Sequence, residues 1–204
     1  MPHSALHLKL FTLSSELVFL TRLTKGEILN KSDWFRVIEE VYRITDNATM
    51  PCMEANCGGS CEVGDISETA IFLPYEMEYI SEKSNIPLSR FKTMEIENFG
   101  RIGIMDYDSV CPFLTEKECA IRPFRMFDCR SYPIVATWIN GKMEFSFAKG
   151  CPLNYKLSSN FKDKIIKAWN LLDPILPKGW KEYYDKEVNR ELEPFVYEGA
   201  SSAK

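Results

Sequence analysis

Seven cysteines fall into two groups, and that distribution constrains the fold more than any other feature of the chain. Cys52, Cys57 and Cys61 share one stretch rich in Gly, Asn, Ser and acids, while Cys111, Cys119, Cys129 and Cys151 are spread along a second, more basic stretch. A buried thiol behaves as a small hydrophobe, but three of them within ten polar residues do not read as core. An odd total leaves one thiol over from any complete disulfide pairing. Leu6 to Leu23 is apolar but interrupted by Lys9, Glu16 and Arg22, and it reads as neither signal peptide nor membrane span. The expected compartment is therefore the cytoplasm, where thiols stay reduced. There, clustered thiolates serve as soft ligands for zinc or for iron–sulfur clusters. The fold is expected to bring the two groups together.

Local chemistry agrees with a metal centre. In Cys57-Gly58-Gly59-Ser60-Cys61 the glycines let the backbone bend around an ion or a sulfide. The first stretch supplies three thiolates, so a fourth has to come from the second. Cys111-Pro112 and Cys151-Pro152 are dipeptides of the kind found at ferredoxin-type ligand positions. From Cys111 to Cys151, Lys117, Arg122, Arg125, Arg130, Lys142 and Lys149 outnumber Glu116, Glu118, Asp128 and Glu144, which suits a negatively charged thiolate site. Arg125 and Arg130 flank Cys129 and can donate to sulfur or to a carboxylate; ordinary surface ion pairs are the alternative. Between Cys52 and Glu68 there are acids (Glu54, Glu62, Asp65) but no Lys or Arg. Carboxylates beside thiolates call for a cation, and they leave an oxygen ligand open; a solvated acidic loop is the other reading.

Other function classes are excluded by what is missing. The only histidines are His3 and His7, so there is no Cys2His2 finger and no HExxH hydrolase. There is no P-loop, no GxGxxG and no C-x3-C-x2-C triplet. A net charge of −4 gives no basis for nucleic-acid or anionic-membrane binding.

Apolar residues make up 45 % of the chain, enough for a sizeable core. Leu6 to Leu23 leans to helix. Trp34, Val37, Ile38, Val41 and Ile44 recur at helical spacing over Lys31 to Ile44, with Ser32 or Asp33 as cap and Trp34 as a core anchor. A loop is expected from Thr45 to Ser67 and a short strand over Ala70 to Leu73. Pro74 fits the first turn of a helix running to about Lys83, with Glu76 and Glu78 at its positive end. Strands over Met94 to Ile96 and Arg101 to Met105 flank a turn at Asn98 to Gly100. Ile134 to Ile139 and Lys142 to Ala148 flank Asn140-Gly141, a two-residue type I′ turn. Extended beyond the strands, that register sets Arg130 opposite Cys151 and Cys129 opposite Pro152. Helices are expected over Ser158 to Leu172 and Gly179 to Val188, with Trp180, Tyr183 and Tyr184 as packing groups; the last ten residues read as frayed. No linker or repeat divides the chain. The expectation is one compact α+β domain over residues 1–204: short antiparallel strands, a 134–148 hairpin, peripheral helices and cysteine-rich metal-binding loops at about 52–153.

Cys111-Pro112-Phe113-Leu114, Cys119-x-Ile121, Arg125-x3-Cys129-Arg130-x-Tyr132-Pro133 and Cys151-Pro152 together resemble the CxxCxxCC cysteine-cluster family, described as zinc- or iron-chelating. Cys52, Cys57-Gly58-Gly59-x-Cys61 and Phe72-Leu73-Pro74-Tyr75-Glu76 resemble that family's first half. Three departures stand out. Cys61-Glu62 replaces a cysteine pair, so Glu62 is a candidate oxygen ligand; the first spacing is x4 where x2 is usual; and Met126 follows Arg125 where the family has proline. The resemblance implies metal ligation by Cys52, Cys57, Cys61, Cys111, Cys119, Cys129 and Cys151. An iron–sulfur cluster is the preferred group, since seven thiolates exceed the four that one zinc needs; a zinc or iron ion is the alternative. Some relatives are named flagellin lysine N-methylases, which implies a second reading, an enzyme modifying a protein or peptide side chain. That reading expects an open polar pocket against the cysteines. Beyond metal and such a substrate, no partner is expected.

Overall fold

The computed structural model describes residues 29–46, 70–105, 111–113, 115, 119–149, 151–154, 156–187 and 192–195. The expected helix at 6–23, the stretch with Cys52, Cys57, Cys61 and Glu62, and most of the C-terminal tail lie outside these residues. Helix α1 (Lys31–Thr45) buries Trp34, Val37, Ile38, Val41 and Ile44, the predicted apolar face. Its cap is Asn30, two or three residues earlier than the expected Ser32 or Asp33. The Asn30 side chain accepts from Asp33 N at 3.0 Å and the Asp33 carboxylate accepts from Asn30 N at 3.4 Å, a capping box that satisfies both orphan donors.

Strand β1 (Ala70–Ile71) is shorter than predicted, and Pro74 precedes rather than enters helix α2 (Glu76–Ser84). Tyr75 caps α2 in the left-handed region, φ 60°. Strands β2 (Lys92–Ile96) and β3 (Gly100–Met105) form a hairpin whose turn uses positive φ at Asn98 and Gly100. β1 adds antiparallel to β3, giving the order β1-β3-β2. A one-turn helix α3 (Phe127–Ser131) leads into β4 (Ile134–Ile139) and β5 (Lys142–Ala148). This second hairpin has the register set by the Asn140-Gly141 turn, with Ile139 opposite Lys142 and Ile134 opposite Phe147.

Beyond the strands the predicted ribbon fails. Ala148 N still donates to Pro133 O at 2.8 Å, but the chain before Pro133 is helical. Cys129 and Arg130 therefore sit on α3 rather than opposite Pro152 and Cys151. Pro133 has no amide to continue the ladder, and burial of Phe127 and Ser131 stabilises the turn of helix instead.

Helices α4 (Ser159–Leu172), capped by Ser158, and α5 (Lys178–Glu187) follow the expected pattern, and β6 (Leu192–Pro194) pairs with β5. Helix α4 packs on α1. Trp169 meets Phe127 at 4.9 Å and Tyr184 at 5.5 Å between ring centroids, and Trp180 stacks on Tyr184 at 4.9 Å. Trp180 and Tyr184 are thus core groups, as predicted, with Tyr183 only partly buried. The described residues make one α+β unit, and no helix among them is long and apolar enough to cross a membrane.

Gly179 records how closely α5 meets the β2–β3 turn. A Cβ there would lie 2.7 Å from the Asn98 carbonyl oxygen and 2.9 Å from its carbon. Backbone cannot yield as a side chain does. Gly179→Ala is expected to lower stability by about 1–2 kcal/mol in urea denaturation, the overpacking exceeding the gain in helix propensity.

Candidate metal centre

The part of the second cysteine stretch most tightly built into the fold is α3. Five residues make too short a helix to stand alone, and tertiary bonds hold it. Its centre of attachment is Glu76, which is completely buried. One carboxylate oxygen accepts from Tyr42 OH at 2.8 Å and from Phe127 N at 2.6 Å; the other accepts from Leu73 N at 2.8 Å. Burial pushes the Glu76 carboxyl up to about 7, against the donors from Leu73, Phe127 and Tyr42 and the Arg130 charge. Placing Glu76 at the positive end of its helix was right as to position. Its role differs: it is a buried junction of α1, the β1–α2 turn and α3.

The other residues of α3 are tied as firmly. Asp128 accepts from Ile71 N at 2.9 Å and from Tyr184 OH at 2.9 Å. The Arg130 guanidinium lies 4.0 Å from the centre of the Tyr42 ring and donates to the carbonyls of Arg125 and Pro123. It also reaches Asp46 at 3.3 Å. Of the two roles open to Arg130 in the sequence, the structure shows it on a carboxylate.

Cys129 stands between these two staples. Asp46 is the last described residue before 47–69, and Ala70 the first after it. Asp46, the residue before the segment that holds Cys52, Cys57 and Cys61, is thus bound to Arg130, and Ile71, the second described residue after it, donates its backbone amide to Asp128. Both flanks are fastened to the immediate neighbours of Cys129.

The remaining cysteines sit on closed turns. Ala120 N, next to Cys119, donates to Phe113 O at 2.7 Å, and the Phe113 ring, two residues after Cys111, packs against Phe91. Asn154 N donates to Cys151 O at 3.2 Å, while the Asn154 side chain donates to Ala148 O at 2.9 Å, fastening the Cys151 turn to the end of β5. Cys111, Cys119, Cys129 and Cys151 are each half-buried at the margin of the core. Among the described residues no three His, Cys, Asp or Glu side chains form a group able to hold a metal ion.

Sequence reasoning missed Tyr42, Glu76, Asp128 and Asp46 as the frame of this region. The one available signal was Tyr42, a polar tip on the buried face of α1, which requires a partner. A cavity of about 720 Å³ lies beside the same β1–α2 turn, and none of the described residues that line it is a cysteine. No family model, no curated protein and no solved structure matches the chain.

Proposed function

We propose that the chain is a metal-binding protein whose centre is held by Cys52, Cys57 and Cys61 together with cysteines of the 111–151 stretch. Behind this stands one observation: the two flanks of the 47–69 segment are bound to Arg130 and Asp128, on either side of Cys129. Fixing both ends of a ligand-bearing segment beside a further ligand lowers the entropy of assembling a site. An iron–sulfur cluster is the preferred occupant and zinc the alternative, on the count of thiolates. A reducing compartment such as the cytoplasm keeps those thiolates available.

Protein purified without oxygen is expected to be brown, to absorb near ~400 nm and to carry iron and acid-labile sulfide. Colourless protein with stoichiometric zinc would transfer the proposal to zinc. Folded protein with neither metal, which takes up none when iron or zinc is supplied, would overturn it.

A further inference from the structure

The turn that carries Glu76 has a second face. Glu76 itself points to Tyr42 and Phe127, but Tyr75, Met77 and Glu78 line the cavity of about 720 Å³. Its remaining walls come from the start of α1, the β2–β3 hairpin and the α4–α5 connection. The volume falls in the range of about 300–1,000 Å³ typical of small-molecule sites.

Three features define what would fit. The lining is mixed: buried Trp34, Met77, Ile102 and Leu176 and half-buried Phe99 and Ile175 border it beside polar and charged groups. Shape is fixed by Pro74, Pro174 and Pro177, whose φ angles are locked, and by the Gly179 contact that pins α5 to the β2–β3 turn. Charge is unbalanced: Arg101 and Lys178 contribute two cations against the single carboxylate of Glu78. Arg101 is 3.6 Å from Glu95 and Lys178 is 3.4 Å from Glu182, and all four side chains are more than half exposed. Pairs so exposed are weak, so both cations can turn to a ligand. The Tyr75 ring, 41 % exposed on a residue with φ 60°, adds an aromatic face at the rim.

We propose that this cavity binds a small organic anion with a flat apolar body, the body held against Tyr75, Phe99 and Ile175 and the anionic group by Arg101 and Lys178. Glu78 then accepts from a hydroxyl or amine of the same ligand. The proposal does not invoke the metal: among the described residues no cysteine lines the cavity.

Anilinonaphthalene sulfonate, a flat aromatic anion, serves as the probe. Titrated into the folded full-length chain and followed by fluorescence and calorimetry, it is expected to saturate a single site. Arg101→Glu and Lys178→Glu, on separate elements, should each weaken binding about tenfold or more. Arg90→Glu, a charge reversal at an exposed residue outside the cavity, should leave it unchanged. Ile175→Trp, at a half-buried lining residue and verified as folded by circular dichroism, should abolish binding by filling the space. Absence of saturable binding would overturn the proposal, as would equal effects of Arg101→Glu and Arg90→Glu. Equal affinity for uncharged phenylnaphthylamine would overturn the anionic assignment.

Discussion

Glu76→Ala is expected to remove roughly 3–6 kcal/mol of folding stability, because it strips the acceptor from three donors at once. Leu73 N, Phe127 N and Tyr42 OH all end on this carboxylate, and Glu76 is completely buried. A loss of that size is a large part of the stability of an ordinary domain, and urea denaturation will register it as a sharply lower midpoint or as an unfolded chain. Glu76→Gln separates shape from charge. The folded carboxyl titrates at about 7, above its ordinary value of 4.5, because burial disfavours the charged form. The folded state therefore keeps a proton that the unfolded chain has released. The stabilisation is full below about pH 4.5, declines as pH rises, and is lost above about 7, a span worth about 3 kcal/mol. Measured between about pH 5 and pH 8, wild-type stability should fall relative to Glu76→Gln. Parallel profiles for the two proteins would show that Glu76 does not titrate in this window.

Cys129→Ser and Asp128→Ala are adjacent substitutions with different expected results. The first removes a proposed thiolate ligand, and the metal-to-protein ratio should fall by about half or more, as it should for Cys57→Ser. The second leaves every thiolate in place but frees Ile71 N, whose bond ties β1 to α3, and Tyr184 OH. Its metal content at saturation should equal that of wild type, while affinity measured by chelator competition should weaken roughly 10–100-fold, the usual effect of losing a residue that orients a ligand. Full metal content in Cys129→Ser would remove Cys129 from the ligand set. Unchanged affinity in Asp128→Ala, with the fold intact by circular dichroism, would show that the flanks do not organise the centre.

The elements legible in the sequence were those written in one local code. Asn140-Gly141 between alternating strands determined a register that the structure reproduces residue by residue. The spacing of Trp34, Val37, Ile38 and Val41 located α1, and that of Phe161, Ile165, Ala168 and Trp169 located α4. Illegible parts depended on partners far away in the chain. Residues 127–131 read as extended when the hairpin register is simply continued, yet they form a helix because Phe127 N finds Glu76, 51 residues away. Asp128 and Asp46 looked like ordinary surface acids, and only their distant donors, Ile71 N and Arg130, mark them as staples. The four downstream cysteines were located at the margin of the core, but no pattern of spacing could say which turns would carry them there.

The bonds that hold α3 have a consequence for how this part of the protein opens. They tie one turn of helix to β1, to α2 and to α5. Unwinding that turn would release Ile71 N, Phe127 N and Tyr184 OH together, so elements far apart in the chain loosen as one cooperative unit.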